Sequence, residues 1–465
     1  MKKKAIIILG ILVLLATVTF TSYSYAKVKQ WDSLILPTVK IENEDLTGKT
    51  KEEAQNIIKD KYSSQIIKKK INILAGDKNY SLDYSMIDAK YDINEALEKA
   101  VSYGKDMNMF EKYKAIKTPV LKQIELKFEY NNEYIDKIIE QIAKDTNKKA
   151  VDATIKMVSS GQFNVTSDVI GKQLDAEKLK TTIISKINGK LSEDVISIEA
   201  PIQEVKPKVT SAILNSIDRR ISSFSTNFAS SAEGRAINIG LSTKRINGTL
   251  LMPGDVFSFN GVVGERTVQK GYQSAGIIIG DRLEQGLGGG ICQVSSTLYN
   301  AILGTELMSV ERIHHTFPSS YVPIGQDATV DYGNLDYKFK NNYNYPVFIE
   351  GFISNRNLYF NIYSNSTLAK RTYTVKNEIL DSIEPKTEKI PDPTKYVGEI
   401  EVVQKAYTGY KVRVTRKTYE NGALINTQII NNDIYKVING ITKVGTKVKP
   451  VLPPVPVVPT APTIQ

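Results

Sequence analysis

The chain holds one cysteine and two histidines, and they lie close together in sequence. Cys292 follows the run Gly286-Leu287-Gly288-Gly289-Gly290-Ile291, and His314 and His315 come a short way downstream. A thiolate is strongly nucleophilic near neutral pH and an imidazole can take and return protons, so these residue types suit thiol acyl transfer. Behind the cysteine, Val294, Leu298, Ala301 and Ile302 recur at helical spacing, which predicts a helix starting at or just after Cys292. A thiol at a helix start lies among unpaired backbone N–H groups that favour its ionised form. The glycines ahead of it adopt backbone angles other residues avoid and let another backbone or a ligand come close. The competing reading is structural, since a lone cysteine often behaves as a small buried hydrophobe and adjacent histidines can serve packing.

The compartment bears on that choice. Lys2-Lys3-Lys4 precede an apolar run from Ala5 to Phe20, followed by Thr21-Ser22-Tyr23-Ser24-Tyr25-Ala26. Basic residues stay cytoplasmic, so the remainder is expected outside the membrane. We read residues 1–26 as a retained single-pass anchor, with removal as a signal peptide near Ser24 and Ala26 as the alternative. An unpaired thiol outside the cytoplasm is commonly reactive. With a single cysteine the chain forms no internal disulfide, and neighbouring histidines without a second thiolate do not suit zinc; neither a metal nor a cofactor is expected. The net charge of +11 is spread along 465 residues and fits an anionic membrane surface or wall polymer; export disfavours nucleic acid.

The elements that must position the site follow from periodicity. Residues 31–210 read as a mixed α/β module: a capping box at Thr50 and Glu53 before a helix, strands at Ile71–Leu74 and Tyr80–Leu82, and a helix through Ile93, Ala96, Leu97 and Ala100. Strands at Ala153–Val158 and Phe163–Thr166 flank a Ser-Gly turn, and a helix runs through Leu179 and Ile183. After a linker near Pro201–Pro207, Ile213–Phe228 and Ala236–Ile246 are predicted helical, and Ile277-Ile278-Ile279 a strand. Past the histidines the pattern turns to β, with strands at Ala328–Val330, Tyr337–Phe339, Val347–Ile349 and Leu358–Phe360 and a hairpin turn at Asn355-Arg356-Asn357. From Arg371 to Lys447 alternation with little apolar mass predicts a thin, extended sheet, and a Pro-rich tail closes the chain.

These residues carry a resemblance. Asn247-Gly248-Thr249 through Pro253-Gly254, Phe257-Ser258-Phe259-Asn260, the glycine run into Cys292-Gln293-Val294-Ser295-Ser296, Glu311-Arg312, His315, and Asp327-Ala328-Thr329-Val330 with Tyr332-Gly333 resemble the VanW domain family. The region upstream resembles the peptidoglycan-binding domain that commonly precedes VanW domains. Downstream, Gly398, Gly409, Gly422, Gly440 and Gly445 match the five glycines of the G-five domain, which is associated with wall adhesion. The family resemblance implies L,D-transpeptidation: Cys292 attacks a stem tetrapeptide at its diaminopimelate carbonyl, D-alanine leaves, and the thioester passes to the side-chain amine of a second stem.

On that resemblance His315 is the base, because the family motif places its histidine directly before a hydroxyl residue, here Thr316; His314 is the alternative. An orienting partner for the imidazole is expected in Asp327 or a backbone carbonyl. Backbone N–H groups around Gly289, Gly290 and Gln293 are candidates for an oxyanion hole. Arg266 and Arg312 are candidates for a substrate carboxylate, with structural ion pairs as the competing reading. Ser295 and Ser296 read as helix-start residues. The expected architecture is an α+β multidomain chain: anchor helix at 1–26, α+β binding module at 31–210, α+β VanW-like domain with a β-rich second half at 211–366, thin β-sheet G-five domain at 371–447, and a tail at 448–465. Its expected place is the cell membrane, with the bulk of the chain outside among peptidoglycan stem peptides and glycan. A non-catalytic wall-binding scaffold and an L,D-carboxypeptidase are the alternative functions.

Overall fold

Apolar residues without interruption by charge make the first element. In the computed structural model, which describes residues 2–191, 195–279 and 282–450, they form one helix, Lys2–Lys29, long and apolar enough to cross a membrane. The expected Pro-rich tail lies, from residue 451, outside the described residues.

The chain divides into two units, Met1–Val151 with Val169–Pro207, and Asp152–Asp168 with Lys208 onward. In the first, the capping box forms as expected: the Thr50 side chain accepts from the Glu53 N–H while the Glu53 carboxylate accepts from that of Thr50. Asp92 and Asp175 cap the helices Ile93–Ser102 and Ala176–Lys186 by accepting from the N–H groups of Glu95 and Lys178. With Glu133–Thr146, these helices bury Leu97, Ile135, Ile142, Leu179 and Ile183 in one core with a three-stranded sheet ordered Val195–Glu199, Lys70–Ala75, Lys78–Asp83.

The second unit is built on an antiparallel sheet ordered Arg219–Asn227, Asn357–Ser364, Val347–Ser354, Thr249–Leu251. Its central hairpin turns at Asn355 and Arg356, both with positive φ (50° and 60°), the geometry that matches strand twist. Helices Glu233–Ile246 and Ile291–Leu303 share one apolar core with this sheet through Ile239, Ile246, Val294, Leu298, Ile302, Ile349, Phe360 and Ile362. The hairpin Ile155–Ser159/Gln162–Val165, read from sequence within the 31–210 module, packs here instead: Phe163 meets Phe348 and Tyr363 edge-on, and Ser160 donates to Glu350. Toward the C-terminus, Arg371–Ile383, Gly409–Glu420 and Ala423–Tyr435 form one sheet and Thr387–Tyr396, Gly440–Lys447 and Ile400–Gln404 another.

Three expectations of secondary structure fail. The expected linker at Pro201–Pro207 contains a strand, Ile202–Val205, paired antiparallel with Gly171–Leu174. Ile213–Phe228 is not a helix; only Ser211–Leu214 is helical, and Arg219–Asn227 is a strand. A register break between Arg220 and Ser222 interrupts its period-2 alternation, leaving an apolar spacing that imitates a helix. Ala328–Val330 is not a strand. The Ala328 carbonyl accepts from the Ser295 and Ser296 hydroxyls and its N–H donates to Ser296, so side chains satisfy backbone groups that a sheet would otherwise take.

Candidate active site

The glycine run makes a tight turn into the cysteine helix, which begins at Ile291, one residue ahead of Cys292. Gly290 is its cap, with φ 102°, and a side chain there would meet Arg235 Cγ at 2.7 Å. A side chain at Gly289 would meet the Gly276 carbonyl oxygen at 2.6 Å. The close approach is therefore of protein backbone and of the Glu233–Ile246 helix, and it fixes the cysteine at the first turn of Ile291–Leu303.

Cys292 is half-buried, with Sγ 3.6 Å from the Val330 carbonyl. The imidazole of His315 is 4% exposed, and its Nδ1 lies 2.5 Å from Asp327 Oδ2, which also accepts from the His315 N–H at 2.7 Å. With Nδ1 so engaged, Nε2 is the ring nitrogen left to interact with the thiol. Burial opposes charge on the sulfur, yet the hydrogen bond and charge of His315, the Val330 backbone and the Arg266 charge outweigh it, and the thiol's pKa falls. Burial likewise opposes the imidazolium, but Asp327 and the thiolate raise His315 to about 10. Against its own burial, Asp327 is held well below the usual carboxylate range by His315, Arg312 and Tyr435. The three groups together favour a thiolate–imidazolium pair at neutral pH.

His314 faces elsewhere, its ring against Tyr435 at 4.9 Å and its Nδ1 2.6 Å from the His315 carbonyl oxygen. The N–H groups of Gly289, Gly290 and Cys292 have no hydrogen-bond partner among the described residues, as an anion site at a helix start requires. Gln293 does not share that role. Its N–H donates to the Gly290 carbonyl, and its buried side chain accepts from Arg235 and donates to Thr226 and the Asn227 carbonyl. Ser295 and Ser296 are not helix-start residues either; they are buried and bonded to Ala328.

The two arginines part company. Arg312 is fully engaged: Nε donates to the Asp327 carbonyl, Nη1 to both oxygens of Asp433 at 2.7 Å, and Nη2 to the Gly325 carbonyl and Asp327 Oδ1. It braces Asp327 and has nothing left for a substrate carboxylate. Arg266 is the opposite. Its Nη1 and Nη2 are buried without a hydrogen-bond partner among the described residues, the guanidinium lies over the Phe259 and Tyr332 rings at 5.5 and 5.8 Å, and its stem lines the turn at Gly288. Burial pulls its pKa down, partly offset by Tyr272, Cys292, Asp336 and Asp331.

Sequence reasoning missed Tyr321, Arg235, Tyr435 and Asp433. Burial raises Tyr321 well above the usual phenol range, the Cys292 and Asp327 charges add to that, and its ring stands edge-on to His315 at 6.4 Å. No periodicity marks a tyrosine in an irregular Pro- and Ser-containing stretch.

Residues 234–363 match the family profile described as VanW like protein, residues 80–195 the one described as "Putative peptidoglycan binding domain", and residues 371–447 the G5 domain. The chain carries a VanW-like region at residues 234–363. It is 43% identical over 175 residues to the uncharacterized protein YoaR of Bacillus subtilis (strain 168), covering 37% of this chain and 58% of that one. It is 32% identical over 114 residues to the Vancomycin B-type resistance protein VanW of Enterococcus faecalis (strain ATCC 700802 / V583), covering 23% of this chain and 42% of that one. The chain thus spans about half the length of these curated relatives. Similar solved structures include the G5 domain of an IgA1 protease (22% identity, TM-score 0.12, 17% of this chain and 93% of that one) and HP0197-G5 (22%, 0.11, 16% and 97%). The three matched regions suggest association with the cell wall, and the apolar N-terminal helix is consistent with an anchor or signal peptide.

Proposed function

We propose that the protein is a cell-envelope thiol acyltransferase acting on peptidoglycan stem peptides, an L,D-transpeptidase. The observation that carries this reading is the chain of contacts from half-buried Cys292 to His315 to Asp327 at the start of a buried helix. The Cys292 thiolate attacks the diaminopimelate carbonyl of a tetrapeptide stem, and a C–S bond forms as the oxygen takes up negative charge. The N–H groups of Gly289, Gly290 and Cys292, without partners among the described residues, stabilise that charge. The C–N bond to D-alanine then breaks, and imidazolium His315 gives its proton to the departing amine. A side-chain amine of a second stem enters, passes a proton back to His315 and attacks the thioester. A C–N bond forms, the C–S bond breaks and the thiolate returns.

Arg266 gives the proposal its substrate recognition. A buried guanidinium whose Nη1 and Nη2 lack hydrogen-bond partners among the described residues is costly and matches a carboxylate in two-pronged fashion. We assign it the free carboxylate of the D-alanine that leaves.

Incubation of the protein with a purified tetrapeptide stem, followed by intact mass, tests the reading. A mass gain of the stem less D-alanine on the wild type, absent from Cys292→Ala, is expected. No adduct on the wild type, with retention on insoluble peptidoglycan, would leave a wall-binding scaffold. An adduct that yields only free tripeptide with a second stem present would identify an L,D-carboxypeptidase.

A further inference from the structure

The residues that hold Asp327 come from two domains. Its Oδ2 accepts from the His315 N–H and faces Nδ1, while its Oδ1 accepts from Arg312 at 3.2 Å and from the Tyr435 hydroxyl at 2.5 Å. Tyr435 is the last residue of strand Ala423–Tyr435, inside the G5 match. Its hydroxyl also accepts from the Gly325 N–H at 2.9 Å, so one phenol ties Asp327 to the loop that carries it. Asp433, on the same strand, neutralises Arg312 through two 2.7 Å bonds, and Asn431 donates to both Asp433 and the Gly325 carbonyl.

The histidine segment is held from the same side. The Lys436 N–H donates to the Thr316 carbonyl at 2.9 Å, and Phe317 stacks on Tyr407 at 4.2 Å. Gly325, at φ +86°, sits so near the G5 sheet that a side chain there would meet Val414 Cγ2 at 2.6 Å. A sheet that served only to stick to the wall would have no use for a buried tyrosine and aspartate aimed at a carboxylate of the neighbouring domain.

We propose that the G5 domain is a working part of the acyl-transfer site, in which Tyr435 and Asp433 are positioning residues that hold Asp327, and through it His315, in register with Cys292. This rests on the reading of Cys292 and His315 as nucleophile and base. A buried carboxylate with one oxygen on an imidazole keeps that geometry only if its other oxygen is also occupied. Arg312 alone would place an uncompensated cation beside it and draw its charge away from His315. Asp433 cancels that cation, so the carboxylate's field remains on the imidazole. Asp327 is faced by His315, Arg312, Tyr435, Tyr299 and Tyr321, and the sulfur by His315, Arg266, Arg235 and Tyr321.

The test uses the full chain, in which Cys292 is the sole thiol, so the rate of iodoacetamide alkylation against pH reads thiolate formation directly. Acylation is followed in parallel with a soluble tetrapeptide stem, which needs no attachment to the wall. Asp433→Asn exposes His315 to the Arg312 charge and shifts the alkylation midpoint. Tyr435→Phe frees Asp327 Oδ1, shifts the midpoint as well and slows acylation about tenfold or more. Asp433→Glu, which keeps the charge, restores the wild-type midpoint. Lys443→Ala, on the other G5 sheet, changes neither reading. Should Asp433→Asn fail to fold, Tyr435→Phe, which loses a single oxygen, carries both readings alone. Folded Asn and Phe variants with wild-type alkylation and acylation would overturn the proposal. If the wild type is not acylated and the midpoint still moves, the positioning stands and the acyl-transfer reading falls.

Discussion

The two flanks of Cys292 are built on opposite rules. On the His315 side the charged groups are all engaged: Asp327 takes four donors, Arg312 meets two carboxylates, and Tyr435 both gives and accepts. On the Arg266 side two nitrogens of a buried guanidinium and the N–H groups of Gly289, Gly290 and Cys292 have no hydrogen-bond partner among the described residues. Buried polar groups are ordinarily satisfied, so the difference sorts the residues by task. A saturated flank fixes geometry. An unsaturated one waits for something with the complementary charge.

The largest effect should come from breaking the saturated flank at its centre. Asp327→Asn keeps the shape but leaves Nδ1 with the wrong tautomeric partner, and acylation of Cys292 should fall about 10³–10⁴-fold by analogy with other triads. Intact-mass kinetics on the tetrapeptide stem measure it; a loss under tenfold would mean Asp327 is packing alone.

Next comes the open flank. Arg266→Met should raise KM far more than it lowers kcat, with kcat/KM down about 100-fold, and the C-terminal amide of the stem should be as poor on the wild type. The variant should no longer tell acid from amide. Equal rates for acid and amide on the wild type would remove Arg266 from substrate recognition and erase the contrast between flanks.

A smaller change concerns the turn between them. Gly290→Ala forces a side chain at positive φ into Arg235, so folding stability should drop by about 1–3 kcal/mol in urea titration. A neutral result would show that the turn tolerates a relaxed backbone.

The mildest perturbation is pH. Because the thiol's pKa is lowered, alkylation of Cys292 should reach its plateau below the ordinary thiol range, and acylation should decline again as His315 loses its proton at about 10. Linkage has matching signs. The raised His315 contributes stability that is full below the usual imidazole pKa and lost as pH climbs through about 10. The depressed Asp327 contributes stability that is present above the usual carboxylate pKa and lost as acid protonates it. Melting temperatures across pH check both arms.

The saturated and open flanks were unequally legible. Cys292 and His315 stood out because each residue type is scarce, and Asp327 because it sits in a dense motif. Local periodicity gave the cysteine helix and the Val347–Ser354/Asn357–Ser364 hairpin, whose turn chemistry is written in adjacent residues. It failed at Arg219–Asn227, where a bulge scrambles alternation, and at Ala328–Val330, where hydroxyls on a helix replace strand partners. Tyr435 and Asp433 were invisible for another reason: in an alternating strand an inward tyrosine looks like any other, and what it touches lies over a hundred positions away. Arg266 and Arg312 are the same residue type, and only the inventory of their partners separates them.

The sulfur at this site has no sibling. Should peroxide oxidise Cys292 to a sulfenic acid, no other cysteine of this sequence can condense with it to a disulfide, and the half-buried sulfur stays within reach of further oxidant. Repair must then arrive from outside, as a small thiol or a reductase able to reach that sulfur. The same scarcity that keeps the nucleophile free of wrong pairings makes the protein dependent on the redox upkeep of its surroundings.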